Sequence, residues 1–162
     1  MDLKKVLLLC VLLVVVFSAV GGVSAGLFDF GEEDASVTIS GKLTEGSSRM
    51  QLSDRDGGHF KHERFTSCYV DVSLTDEQRE LIKDSLLFYS NTCNVTYGNG
   101  TSEVFTHTNK SDLTLGLSGD ELYIGGSKVV YTNSEVSEEP CGVSEGTLVI
   151  HTEKGNITIN FK

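Results

Sequence analysis

Apolar and polar side chains alternate along most of the chain that follows residue 35. The clearest case is the segment Phe65–Leu74, in which every second residue from Cys68 to Leu74 is apolar. A period of two is typical of a β-strand that buries one face, because successive side chains point to opposite sides of the sheet. Further segments that predict strands are 36–43, 49–53, 92–97, 103–108, 112–117, 121–124, 128–132, 147–152 and 157–161.

Short polar or glycine-rich steps separate these segments and predict tight connections. Asp56-Gly57 and Asn99-Gly100 are dipeptides that two-residue hairpin turns favour, since those turns need residues with positive φ. Gly46-Ser47-Ser48 and Gly125-Gly126-Ser127 are also expected to end strands, and residues 133–146 to form a long polar loop. The pattern predicts about eight or nine short strands in a mostly antiparallel sheet, arranged as a sandwich or a meander.

One segment changes to the helical period. Thr75 has the side chain of a helix N-cap, and Gln78 three residues later completes a capping box. Apolar residues that recur at spacings of three and four would turn one helix face to the sheet. They are Leu81, Ile82, Leu86, Phe88 and Tyr89. The sequence therefore predicts one helix near residues 76–90 and an α+β fold.

The first 25 residues have the order of a secretory signal peptide. Lys4 and Lys5 precede an apolar run, Val6–Val20, and the small residues Val23 and Ala25 suit the positions before a cleavage site. The run is short for a bilayer span, which needs about 20 apolar residues, so we expect a cleaved signal helix rather than an uncleaved membrane anchor. We therefore divide the chain into a signal peptide (1–25), a tether (26–35) and a single β-rich domain (36–162).

The junction that follows the leader reads Gly26-Leu27-Phe28-Asp29-Phe30. Leader and junction together resemble uncharacterised small secreted or cell-surface proteins of methanogenic archaea. The resemblance spans about thirty residues and implies a secreted or extracellular cell-surface location, with membrane anchoring at the N-terminus as the alternative. It implies no activity and no site residue.

The chain is acidic, with a formal net charge of −10 at pH 7. Removal of residues 1–25 would take away two lysines and one aspartate and make the remainder one charge more negative. Such a surface repels phosphate groups, so we expect neither nucleic acid nor an anionic lipid surface as a partner. The membrane would be reached only through Val6–Val20, if that segment is not cleaved.

Three of the four cysteines, Cys68, Cys93 and Cys141, lie after the predicted leader. In an oxidising compartment we expect one disulfide and one remaining thiol. Cys68 and Cys93 fall on the apolar parity of the two strands that flank the helix, so we predict that they pair. Cys141 remains an alternative partner for either. A bridge between Cys68 and Cys93 would stabilise the fold by about 3 kcal/mol on a chain-entropy estimate.

Four Asn-x-Ser/Thr sequons follow the leader, at Asn94, Asn99, Asn109 and Asn156. All four lie at predicted outward or turn positions, where a bulky glycan can be accommodated. Since the chain is predicted to be exported, we expect a glycoprotein.

The candidate for a metal site is the segment that contains His59 and His62 with nearby acidic residues. In a hairpin, however, a spacing of three places the two rings on opposite faces, so we favour a polar turn without metal. No catalytic motif or cofactor-binding motif is present. The sequence thus predicts a non-enzymatic surface or secreted protein, structural, adhesive or partner-binding, whose partner is a protein or glycan. The alternatives are an extracytoplasmic metal-dependent hydrolase and a small-ligand binder with a barrel-like interior.

Overall fold

The computed structural model describes residues 36–88, 90–108, 112–136 and 140–162. The predicted signal helix and tether, Asn109 and Tyr89 lie outside these residues. The described residues fall within one compact unit, Ala35–Lys162. Its elements are β1 (Val37–Asp56), β2 (His59–Val72), α1 (Asp76–Ser85), β3 (Asn91–Tyr97), β4 (Ser102–His107), β5 (Leu113–Ser118), β6 (Glu121–Thr132), β7 (Cys141–Thr152) and β8 (Gly155–Phe161).

The eight strands form one sheet in the order β4-β3-β7-β8-β1-β2-β6-β5. Every neighbouring pair is antiparallel except β1 and β8, which run parallel from Val37 opposite Ile157 to Gly41 opposite Phe161. Within the described residues, the prediction of a mostly antiparallel β fold with one helix is confirmed. The parallel pair was not predicted, because it joins the two ends of the described chain and leaves no mark on local sequence.

Several strands are longer than their sequence patterns predict. β1 passes through Gly46-Ser47-Ser48, and β6 passes through Gly125-Gly126-Ser127, so both predicted interruptions are wrong. These glycines allow close contacts rather than turns: a Cβ on Gly46 would lie 2.8 Å from Val143 Cβ, and one on Gly126 would lie 2.8 Å from the Phe105 ring. β7 begins inside the predicted 133–146 loop, and β2 begins at His59 rather than at Phe65.

The sheet folds over on itself, so that the β4-β3-β7 half faces the β2-β6-β5 half. Contacts between strands far apart in the sheet order demonstrate this: Phe105 on β4 meets Gly126 on β6, and Thr66 Oγ1 on β2 lies 2.9 Å from Tyr97 Oη on β3. The inner faces form a core that is nearly inaccessible to solvent. It includes Cys68, Val70, Val72, Ile82, Cys93, Val95, Phe105, Leu122, Ile124, Leu148, Ile150, Ile157 and Ile159.

Helix α1 closes one end of the folded sheet. The predicted capping box is confirmed: Thr75 Oγ1 accepts from Gln78 N at 3.2 Å, and Gln78 Oε1 accepts from Thr75 N at 2.9 Å. Ile82 is fully buried against the core. The helix ends at Ser85, earlier than predicted, and Phe88 is 83% exposed, so its predicted place on the buried face is wrong.

The opposite end of the sheet is the β1–β2 hairpin, which turns at Gly57 and Gly58 with φ of 54° and 87°. Gly100 lies in the β3–β4 connection with φ of 83°, so hairpin turns occur at both predicted places. The first turn is Gly57-Gly58 rather than Asp56-Gly57, and the second is longer than two residues, since β3 ends at Tyr97 and β4 begins at Ser102. Among the described residues, no helix is long and apolar enough to cross a membrane.

Candidate functional site

The three described cysteines, Cys68, Cys93 and Cys141, are free thiols, and the predicted bridge between Cys68 and Cys93 is not formed in the structure. The parity was predicted correctly, because both side chains point into the core and are fully buried. Their strands nevertheless belong to opposing layers, and such layers pack about 10 Å apart, whereas a disulfide needs Cα atoms within about 7 Å. Burial raises the pKa of the Cys68 thiol to about 12. Burial raises the pKa of the Cys93 thiol still further, and electrostatic repulsion from Cys68 adds to that increase. Cys141 is half-buried at the start of β7.

The two candidate metal ligands lie on opposite faces of β2, as the hairpin geometry predicts. His59 is exposed, whereas His62 is fully buried. His62 Nε2 lies 3.0 Å from Thr132 Oγ1, and that hydroxyl donates to Ser134 O at 2.6 Å. Because a hydroxyl has one proton, His62 Nε2 is the donor in this chain of hydrogen bonds. The two rings therefore cannot share one ion, and no metal-binding cluster occurs within the described ranges.

The three described sequon asparagines, Asn94, Asn99 and Asn156, are exposed, which agrees with their predicted outward positions. At Asn99 the sequon hydroxyl is already bonded to the amide: Thr101 Oγ1 donates to Asn99 Oδ1 at 2.7 Å, and Thr101 N donates to the same oxygen at 3.0 Å. Asn156 Oδ1 lies 2.9 Å from His151 Nδ1 instead. Glycan occupancy stays a prediction.

A buried polar cluster that sequence reasoning missed lies inside the sheet, toward the hairpin end. Arg64 points inward from β2, with Nε 3.0 Å from Glu103 Oε1 and its guanidinium carbon 4.8 Å from the centroid of the Tyr97 ring. Tyr97 Oη donates to Glu103 Oε2 at 3.4 Å, and burial raises the pKa of this phenol to about 12. The alternation of β2 could have indicated this cluster in the sequence, because His62, Arg64 and Thr66 continue the inward positions of Cys68 and Val70.

A second feature that sequence reasoning missed is an open groove on the outer face of the sheet. Its floor is a row of small residues, one from each of four adjacent strands, which the strand registers place directly beside one another. The row is Ser47 on β1, Ser67 on β2, Gly125 on β6 and Thr114 on β5. Since larger side chains stand on both sides of this row, the small residues leave a trough across the strands.

Aromatic rings form both walls of the trough. On one side is Phe65, with the Arg49 guanidinium carbon 5.3 Å from its ring centroid. On the other side Tyr69 and Tyr123 pack with ring centroids 5.1 Å apart at an angle of 50°. A Cβ on Gly125 would lie 2.7 Å from Tyr123 Oη, so the Tyr123 ring leans over the glycine.

Asp112 and Pro140 border the same space, whose volume is about 640 Å³. We call this site the outer groove. The residues that define it here are Ser47, Arg49, Phe65, Ser67, Asp112, Thr114, Tyr123 and Gly125. Ligand sites typically enclose about 300–1,000 Å³ and combine aromatic walls with a few polar groups, so size and lining both suit a ligand. Its members come from four strands, and no local motif joins them. No protein-family model, curated protein or solved structure matches the chain.

Proposed function

We propose that the protein is an exported, non-enzymatic surface or secreted protein that binds its partner through the outer groove. The observation that carries this proposal is the juxtaposition of half-exposed aromatic rings with a floor of small hydroxyl residues in one open cleft. Aromatic side chains that keep one face toward solvent supply large contact area at low entropic cost. They are therefore the anchors expected of a binding surface.

Two observations favour this proposal over the alternative functions. A hydrolase that used His59 and His62 would need both rings at one ion, but they lie on opposite faces of β2. A small-ligand binder would need space between the inner faces, but those faces are filled by fully buried side chains such as Leu148 and Ile159. The outer face is where uncommitted polar and aromatic groups are found together.

The surface setting is supported by the leader and by the distribution of sequons. Asn94 lies on the outer face of β3, on the half of the sheet opposite the outer groove, Asn99 lies in the β3–β4 turn, and Asn156 is an exposed residue near the start of β8. Glycans at these three positions would leave the groove uncovered. A glycoprotein whose described sequons leave this aromatic-lined face uncovered suits a role in adhesion or in partner binding at the cell surface.

The test is binding of the labelled, full exported protein to the envelope fraction of its own host. Tyr123→Ala should weaken binding at least about fivefold, because it removes a stacking surface worth about 1 kcal/mol or more. The matched control is Tyr131→Ala, since Tyr131 lies on the same strand and face, is 69% exposed, and is eight residues, or about 26 Å, away. Equal loss in both variants, or in neither, would contradict a role for the outer groove.

A further inference from the structure

The Tyr123 ring forms a flat platform in the outer groove. The ring leans over Gly125, where a Cβ would come within 3.1 Å of three of its atoms. The hydroxyl end of the ring thus lies over the Gly125 backbone, and Tyr123 remains partly exposed and borders the groove. The apolar C–H face of a sugar ring packs on such a surface, because ring C–H groups carry partial positive charge and the aromatic face is negative.

The floor beside this platform offers hydroxyl groups that the fold does not use. Neither the Ser47 nor the Ser67 hydroxyl makes a side-chain hydrogen bond to another of the described residues. Ser47 and Thr114 are exposed, and Ser67 is half-buried between them. Because each hydroxyl can both donate and accept, the row can follow the hydroxyl groups of a polyhydroxylated ligand across the strands. Four strands span about 14 Å, which is room for several linked rings rather than one.

Among the described residues that line the groove, the charged side chains are Arg49 and Asp112, which have opposite signs. Arg49 rests on the Phe65 ring and presents donors, whereas Asp112 presents acceptors near the start of β5. An anionic ligand would meet Asp112 and the acidic surface of the chain, and a cationic ligand would meet Arg49. A neutral chain with hydroxyls along its length satisfies both, since a hydroxyl at one end accepts from the guanidinium while a hydroxyl nearer the other end donates to the carboxylate.

We infer that the ligand of the outer groove is a neutral carbohydrate chain, with one sugar ring stacked on Tyr123 and its hydroxyls bonded along the Ser47–Ser67 row. This inference rests on the proposed function and names its ligand class. The ligand lies across the strands, between the Phe65 wall and the Tyr123 wall. Arg49, on β1, and Asp112, just before β5, bond hydroxyl groups at the two ends of the bound chain.

The test is calorimetric titration of the full exported protein with four neutral oligosaccharides, namely maltohexaose, cellohexaose, mannohexaose and xylohexaose, and with anionic polygalacturonate. At least one neutral chain should bind. Tyr123→Ala should weaken that binding at least about fivefold, and Tyr123→Phe, which keeps the ring, should stay within about twofold. Arg49→Gln should weaken it about threefold or more. The control is Arg55→Gln, because Arg55 also lies over an aromatic ring, Phe60, at 5.6 Å, outside the groove.

The outcomes separate the ligand class from the site. If none of the four neutral chains binds while envelope binding still depends on Tyr123, the carbohydrate inference is overturned and the proposed function stands. If polygalacturonate binds more tightly than the neutral chains, the assignment of a neutral ligand is wrong. If a sugar binds equally to wild type and Tyr123→Ala, the outer groove is not its site. Thermal unfolding of each variant shows whether a loss reflects misfolding.

Discussion

The two halves of strand β2 bury opposite kinds of side chain on the same inner face. From Cys68 to Val72 the inward residues are apolar and pack below helix α1, whereas His62, Arg64 and Thr66 form the polar half toward the hairpin. All six are at most 6% exposed, so burial is the same and only chemistry differs. Position in the pleat decides which side chains are buried, and partners from β3, β4 and β6 decide which polar ones are tolerated.

The comparison suggests that the two halves contribute differently to the fold. Apolar burial in the helix half supplies net stability of about 25 cal/mol per Å² of buried surface. In the polar half, the cost of removing Arg64 and Glu103 from water offsets most of their attraction. The polar half therefore adds little net stability, but it penalises any strand register in which the two charges fail to meet.

The largest expected effect is in the apolar part of the core, to which Ile150 on strand β7 belongs together with the apolar half of β2. Ile150→Ala should lower the free energy of unfolding by about 3 kcal/mol, because Ile150 is fully buried and the truncation leaves a cavity. Urea denaturation measures this. The control is Val149→Ala, since the adjacent Val149 points outward and is half-buried, and it should cost less than about 1 kcal/mol. Equal costs would mean that the apolar half is not the core of the fold.

The next effect is in the polar half. Glu103→Ala should lower the free energy of unfolding by about 2–3 kcal/mol, because it removes the carboxylate that contacts the Arg64 guanidinium, which is buried beside Tyr97. The double variant Arg64→Met/Glu103→Leu should return to within about 1 kcal/mol of wild type. Glu80→Ala breaks the exposed pair with Lys83 and should cost less than about 0.5 kcal/mol.

A double variant as unstable as Glu103→Ala alone would show that the charges themselves stabilise the polar half. The same series of urea denaturation curves decides this. Polar contacts would then contribute as much to the free energy of unfolding as apolar packing does.

A smaller effect is the dependence of stability on pH that the buried Tyr97 phenol contributes. The folded pKa of Tyr97 is raised to about 12, above the value of about 10 expected in the unfolded chain. The folded state therefore holds this proton more tightly, and its contribution to stability is full below pH 10 and is lost as pH rises toward 12. Cys68, also raised to about 12, should add to this loss from about pH 9. Tyr97→Phe should flatten the stability profile between pH 10 and 12, and Tyr131→Phe should not; equal slopes would exclude Tyr97 as its source.

Much of the fold could be predicted from sequence, and the failures have a common cause. Alternation identified most strands, and the capping box at Thr75 and Gln78 identified the helix start, because both signals depend on neighbours in sequence. Gly46 and Gly126 were interpreted as turns, but they are small because Val143 and Phe105 approach them from distant strands. Nothing local distinguishes a glycine that turns the chain from one that admits a neighbour.

The candidate site was much less predictable than the fold. Ser47, Ser67, Gly125 and Thr114 meet only through the registers of β1, β2, β6 and β5, and the Ser67–Gly125 pair in this row joins residues 58 positions apart in the chain. Two of these residues lay in segments predicted to interrupt strands. The sequon positions, by contrast, needed only strand parity and turn signals, and the three described ones are exposed.

The last prediction concerns the thiols, where the expected change in stability is the smallest. In reduced, folded protein a thiol reagent should modify half-buried Cys141 first, and Cys68 and Cys93 only through global unfolding, because both are fully buried and burial raises the pKa of each. Cys68→Ala should cost about 1 kcal/mol, which is the loss of one small buried group. Exported protein treated without reductant provides the contrast. If Cys68 and Cys93 stay unmodified even after denaturation, they are oxidised to each other and the layers approach more closely than in the reduced fold; if both react on denaturation, the two thiols are simply part of the apolar half.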